Sequence, residues 1–450
     1  MLAAMDSNTC SAEPTATLGA ESRRQRRASL WSYPRYVVWL ISDTSKGLAG
    51  TLFAFAMPLL TLMVTNNPAQ AGVLSGIGMA ANIATTLIGG ILADRHSRLA
   101  LMVVGSLTGT VISLVFTAIA WFGTLNFSIL LLFEVTLALR GGIFNTAGEA
   151  ALKDVVPAEA MGRAQAANQG RDAALQLLGN PLGGLLLGAG SWLVTAAMAA
   201  THAVSAITAA LLLPRRHAKR ATTAQQPTPA REPPAPAKNA LRELKEGFSW
   251  LFSRSDVRGV LFVVTIINLG VNTAFTTAIY ALQQDGFSTV SIGTVSSVIG
   301  VAMLAGAVIA PFLVPRAGTG ILTIAGLVAI TASVGALSFG TTPVAVATIA
   351  APGMLLVPAL NSGLMGYFMV AVPGEILGRA NSAMSFLGMG ALPLAPLIAG
   401  FGLAHAGRTE TLIVSAAICA IAAIASLLSS SVRSLPAEGQ WAAHAAQSGR

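Results

Sequence analysis

From Tyr36 onward the chain alternates long apolar stretches with brief polar breaks. A bilayer core takes about 20 apolar residues per helix. Twelve runs of that order lie near 36–64, 72–92, 99–122, 127–147, 166–188, 192–213, 257–282, 291–314, 320–339, 344–370, 380–403 and 411–429. Short segments of alternating polarity, which a membrane β-barrel needs, are not found. The pattern predicts an all-α polytopic membrane protein with twelve transmembrane helices. The one long interruption, "PRRHAKRATTAQQPTPAREPPAPAKNA", is rich in Pro, Ala and charge and reads as a flexible linker over residues 214–239. It divides the chain into an N-terminal six-helix lobe, 36–213, and a C-terminal six-helix lobe, 256–430. Between linker and second lobe, residues 240–255 place Leu241, Leu244, Phe248 and Leu251 on one helical face, with Arg242, Glu243, Lys245 and Glu246 elsewhere. This spacing predicts a short amphipathic helix on the membrane surface. Residues 1–35 lack the apolar core of a signal peptide and read as a disordered tail, and 431–450 form a second tail.

Charge fixes the expected orientation. Only 10% of the residues are charged, against roughly 25% in soluble domains. Of the 27 Lys and Arg residues, 24 fall on the side of the N-terminus, Arg408 alone falls opposite, and Lys46 and Arg140 lie within spans. Such an asymmetry predicts that both tails and the linker are cytosolic. It also accounts for the net charge of +9 without nucleic acid, because the basic residues are scattered over many short loops and form no single face. Cys10 and Cys419 are the only cysteines, which suggests neither a disulfide framework nor a metal site. There is no G-x-x-x-x-G-K-[ST] loop and no soluble domain to hold one. Nothing in the sequence supports an enzyme.

The two halves repeat. "VPAEAMGRAQ" at Val156–Gln165 is matched by "VPGEILGRAN" at Val372–Asn381, at an offset of 216 residues. Each copy lies between the fourth and fifth runs of its half, so the halves are expected to be parallel copies. The turn between the second and third runs, "GGILADRHSR", concentrates Asp94, Arg95, His96 and Arg98 in an otherwise apolar region. Together with "ALKDVVPAEAMGRAQAANQGRDAALQLLGNPLGGLLL" and "FAFAMPLL", it resembles the major facilitator superfamily over nearly the whole chain, and within it bacterial permeases of the siderophore-exporter and macrolide-efflux type. Gly90, Asp94, Arg95 and Arg98 match the superfamily's G-x-L-a-D-r-x-g-R signature, with Ser97 standing where Gly is usual. The resemblance implies a cytosolic gate whose charged bonds form in one conformation and break in the other. "GNPLGG", with Gly179, Pro181, Gly183 and Gly184, is similar to the G-P-x-x-G-G element of antiporters in this superfamily and implies a helix hinge.

Charges inside spans cost several kcal/mol unless paired or wet. Asp43 and Lys46 in span one and Glu134 and Arg140 in span four are therefore candidates for proton coupling and for the cavity. The resemblance implies that spans one, four, seven and ten line that cavity, which makes two cross-helix pairs possible, Asp43 with Arg140 and Lys46 with Glu134. Either pair is a proton-exchange site or a fixed structural bridge. Asn268 and Asn272, one turn apart in span seven, are candidate substrate contacts. His202 is expected to be packed. The resemblance implies a monomeric secondary transporter of the bacterial inner membrane that exports a small apolar or amphiphilic molecule by proton antiport. The proton gradient is its energy source, and it has no cofactor and no metal. The alternatives are proton-coupled uptake, lipid transport, or a sensor or scaffold that kept the fold.

Overall fold

The computed structural model describes residues 30–157, 160–213, 246, 248–373 and 376–448. In the first half six long helices follow one another: α1 (Pro34–Thr65), α2 (Pro68–Arg95), α3 (Arg98–Trp121), α4 (Phe127–Val155), α5 (Met161–Ala189) and α6 (Ser191–Leu212). The second half has α7 (Ser255–Gln284), α8 (Thr289–Leu313) and α9 (Thr319–Ala336), then a span broken into α10 (Pro343–Leu355) and α11 (Val357–Ala371). A second broken span, α12 (Leu377–Gly390) and α13 (Leu394–His405), precedes α14 (Arg408–Leu428). This is the twelve-helix, two-lobed arrangement that the apolar runs predict. Among the described residues, eleven of the spans are long and apolar enough to cross a membrane. The exception is α5, which carries Arg163, Arg171, Asp172, Gln176 and Asn180 within its 29 residues.

Short polar turns stop and restart the helices. At the end of α1, Asn66 takes a left-handed conformation (φ 47°) and its N–H closes on the Leu62 carbonyl; Asn67 then caps α2, with Pro68 at its first turn. At the other end of α2 the chain turns on His96 and Ser97 alone, and the Ser97 hydroxyl accepts the Ala100 N–H to cap α3. That cap gives a physical reason for serine at the position where the superfamily pattern has glycine. The repeat is visible in the helix ends as well. Val155 and Ala371 close the fourth spans, Met161 and Leu377 open the fifth, and both pairs keep the 216-residue offset.

With twelve crossings the start of α1 and the end of α14 lie on one side, here called the terminus side. Toward the opposite, far side, the lobes share an apolar core through Leu52, Phe55, Leu187, Leu282 and Ile292. Toward the terminus side their packing separates, around Trp39 and Leu152 in the first lobe and around Leu251, Phe368 and Ala380 in the second.

The predicted surface helix is helical over 248–253, with Leu251 buried against the second lobe and Glu246 bridged to Arg379 at 2.8 Å. Leu241, Arg242, Glu243, Leu244 and Lys245 lie outside the described residues, as do 1–29 and the linker 214–239. The segment after α14, read in the sequence only as a tail, is packed. In α15 (Trp441–Ser448), the Trp441 indole donates to Thr319 Oγ1 (3.0 Å), and the Tyr367 hydroxyl meets His444 Nδ1 (3.0 Å). Just before it, the carbonyls of Leu435 and Pro436 accept the Gly320 and Thr319 N–H groups.

Candidate functional site

Two seams hold the lobes together on the far side, and both are built on absent side chains. In one, α2 crosses α13: a Cβ on Gly72 would collide with the Pro396 carbonyl, and one on Gly400 with the Pro68 carbonyl. In the other, α5 crosses α8. Gly184 lies against the Thr289 carbonyl, Gly293 against that of Asn180, and Thr289 Oγ1 donates to the Gly184 carbonyl at 2.6 Å. Ser297 Oγ donates to the Leu177 carbonyl at 2.7 Å. Thus Gly184 of the expected hinge serves a cross-lobe contact, while Gly179 and Gly183 let α5 pack on Thr51 and Phe55 of α1. The helix passes through Pro181 without a break.

Below these seams, toward the terminus side, a cavity of about 710 Å³ lies between the lobes. Its first-lobe wall holds all its charges: Asp43, Lys46, Arg140, Glu149, Arg171 and Asp172. Its second-lobe wall is uncharged, with Phe275, Ile279, Val295, Ile299 and Met303 beside Asn272.

The charges are not paired as the sequence suggested. Asp43 binds Lys46, three residues on along α1, and Arg171 of α5, each at 2.8 Å. Arg171 also reaches Asp172 at 2.8 Å and lies over the Trp39 ring. Lys46 donates to the Asn145 carbonyl of α4 at 3.3 Å, and the Trp39 indole to the Gly148 carbonyl at 3.0 Å. These contacts tie α1, α4 and α5 into one first-lobe unit. A Cβ on Gly148 would collide with Asp43 and Lys46, so glycine there makes room for the pair.

Arg140 does not meet Asp43. Its Nη1 donates to the Gly105 carbonyl of α3 at 2.8 Å, beside the buried His202. Thirteen residues separate Arg140 from the start of α4, about 20 Å along the axis, and α4 continues to Val155, so Arg140 stands at mid-height. Glu134 does not meet Lys46 and does not line the cavity. It is buried against Gly78 of α2, and its Oε2 has no hydrogen-bond partner. Nearby, the Ser75 and Tyr280 hydroxyls meet across the lobes at 3.3 Å.

Asp94 and Arg95 are exposed at the terminus side, and among the described residues nothing bonds to Asp94. Arg98 instead ties α3 to α4, donating to the Ala150 carbonyl (3.0 Å) and approaching Asp154 (3.5 Å). Gly90 has open space around it. Asn272 lines the central cavity; Asn268 lines a neighbouring pocket of about 360 Å³ among Leu261, Met365, Phe368 and Met384. Arg171, with Asp172 and Glu149, lines the cavity although sequence reasoning did not place these residues in the site. A signal was present: Asn168, Asp172, Gln176 and Asn180 recur every four residues in α5, and the last three of them line the cavity.

A family model described as Major Facilitator Superfamily matches residues 44–396. No curated protein sequence matches the chain. Among solved structures, the chain is similar to a bacterial homologue of the iron transporter ferroportin in an inward-facing state. The TM-score is 0.61 at 14% identity, covering 89% of this chain and 99% of that one. It is similar to the nucleoside transporter NupG (TM-score 0.62, 14% identity, 87% and 97% covered). It is also similar to a D-xylose-proton symporter (0.54, 17%, 90% and 98%).

Proposed function

The chain belongs to the major facilitator superfamily of membrane transporters, and on that basis we propose that it exports a small apolar or amphiphilic molecule by proton antiport. The observation that carries this reading is the two-walled cavity, charged on one side and uncharged and mostly apolar on the other, closed by the far-side seams. An amphiphile has a surface for each wall, whereas a highly charged substrate would face the apolar wall without partners. The Lys/Arg asymmetry supports a cytosolic terminus side; on this reading the protein lies in the inner membrane of a bacterium and the cavity is in its loading state. Siderophore exporters and macrolide-efflux permeases are the subtype that the motifs support.

The two carboxylates deep in the spans that we assign to coupling are Asp43, in the half open toward the terminus side, and Glu134, at the closed seam. Lobe rocking changes the surroundings of both, which is what a proton carrier needs. Asp94 is read as a latch that is released in this conformation and engages when the terminus side closes. Inverted vesicles with an imposed pH gradient test the assignment. Proton-driven accumulation of an exported dye is expected, and Glu134→Gln or Asp43→Asn should lower its rate about ten-fold or more. If both variants accumulate the dye like the parent, the proton assignment fails. Accumulation confined to right-side-out vesicles would replace export by uptake.

A further inference from the structure

Of the three basic side chains on the cavity wall, two are already neutralised. Lys46 and Arg171 share Asp43, and Arg171 holds Asp172 as well. Arg140 has no acidic partner among the described residues: its Nη1 is spent on the Gly105 carbonyl, and its buried Nε donates to nothing. A guanidinium left without a counter-charge at mid-membrane height is costly, and its planar donors fit a carboxylate. Its position is built. Gly109 of α3 has no side chain, and a Cβ there would come within 2.9 Å of both Arg140 Nη1 and the His202 ring. The nearest acid on the same helix, Glu134, stands six residues away, about 9 Å in height, and lies against Gly78. Facing Arg140's wall across the cavity, Phe275, Ile279, Val295 and Met303 offer apolar surface, with Asn272 and Ser296 as uncharged polar groups beside them.

We propose that the substrate is an organic monoanion with an apolar body, its carboxylate held by Arg140 and its body laid against the α7–α8 wall. The proposal rests on the transport reading only in taking this cavity as the substrate's path.

Equilibrium binding without any gradient tests it separately from coupling. The full chain in nanodiscs is titrated with 11-(dansylamino)undecanoic acid and with its methyl ester, following dansyl fluorescence. Saturable binding is expected for the acid, tighter than for the ester. Arg140→Gln should weaken the acid on the order of ten-fold or more and leave the ester unchanged, which also shows that the variant is folded. Arg140→Lys should keep part of the preference. The inference is overturned if the acid shows no saturable binding, if acid and ester bind alike in the parent, or if Arg140→Gln leaves the acid-to-ester ratio where it was. Each of these results would leave the vesicle experiment to judge transport on its own.

Discussion

Asp43 is held from two directions, by Lys46 within its own helix and by Arg171 from α5. Removing the carboxylate leaves Lys46 without a counter-charge in the membrane interior and Arg171 with Asp172 alone, whereas removing Lys46 leaves Asp43 one partner. Asp43→Ala should therefore lower stability by about 3 kcal/mol and Lys46→Ala by clearly less, measured as thermal unfolding in detergent. Equal losses would contradict the shared-anion arrangement. The four intramembrane charges were legible in the sequence because each stands out in an apolar run. Their partners were not, since pairing across helices depends on helix rotation, which hydropathy does not encode. The local pair could have been read, because residues three apart share a helix face. Arg171 was hidden by its position, since a cation near a span end reads equally well as a topology signal.

At the scale of elements, glycine marks where helices of different lobes touch backbone to backbone. Gly184 and Gly72 each lie against a carbonyl of the other lobe, so a larger residue at either must part the seam. Gly184→Val and Gly72→Val should shift the molecule toward far-side opening. A cysteine replacing Thr51, which lines the cavity, reports this in a chain freed of Cys10 and Cys419. An impermeant maleimide should label it from the terminus side in the parent, and several-fold faster from the far side in the valine variants. Unchanged sidedness would mean that the seams do not set the conformation. Twelve spans were readable from apolar runs of bilayer length, and the parallel repeat told how the halves correspond. The breaks at Leu356 and at 391–393, within spans ten and eleven, follow the prolines there and left the span count intact. It was α5 whose polar residues brought it below the apolarity of the rest, and those residues belong to the cavity wall.

For the whole molecule, the separation of the lobes on one side accounts for the lack of a cross-lobe bond at the turn that carries Asp94 and Arg95 among the described residues. Asp94 is solvent-facing here, and the proposed latch has it gain partners on closure. Asp94→Asn should reduce transport several-fold while leaving membrane insertion and the detergent melting temperature as they were, since no contact in the present state is lost; a large fall in melting temperature would place Asp94 in a fixed structural role instead. The packed end of the chain bears on how the molecule can be handled. Trp441 fills the space over Gly366 and reaches Thr319 at the start of α9, and His444 meets Tyr367 of α11. The last residues therefore act as a clasp across two helices of the second lobe. A reporter protein joined after Arg450 keeps that clasp, whereas one joined at Leu428 deletes it and uncovers the Thr319 and Gly320 amides. The shorter fusion should melt about 5 °C or more below the longer one, so the choice of junction decides whether a labelled transporter reports on the native protein or on a weakened one.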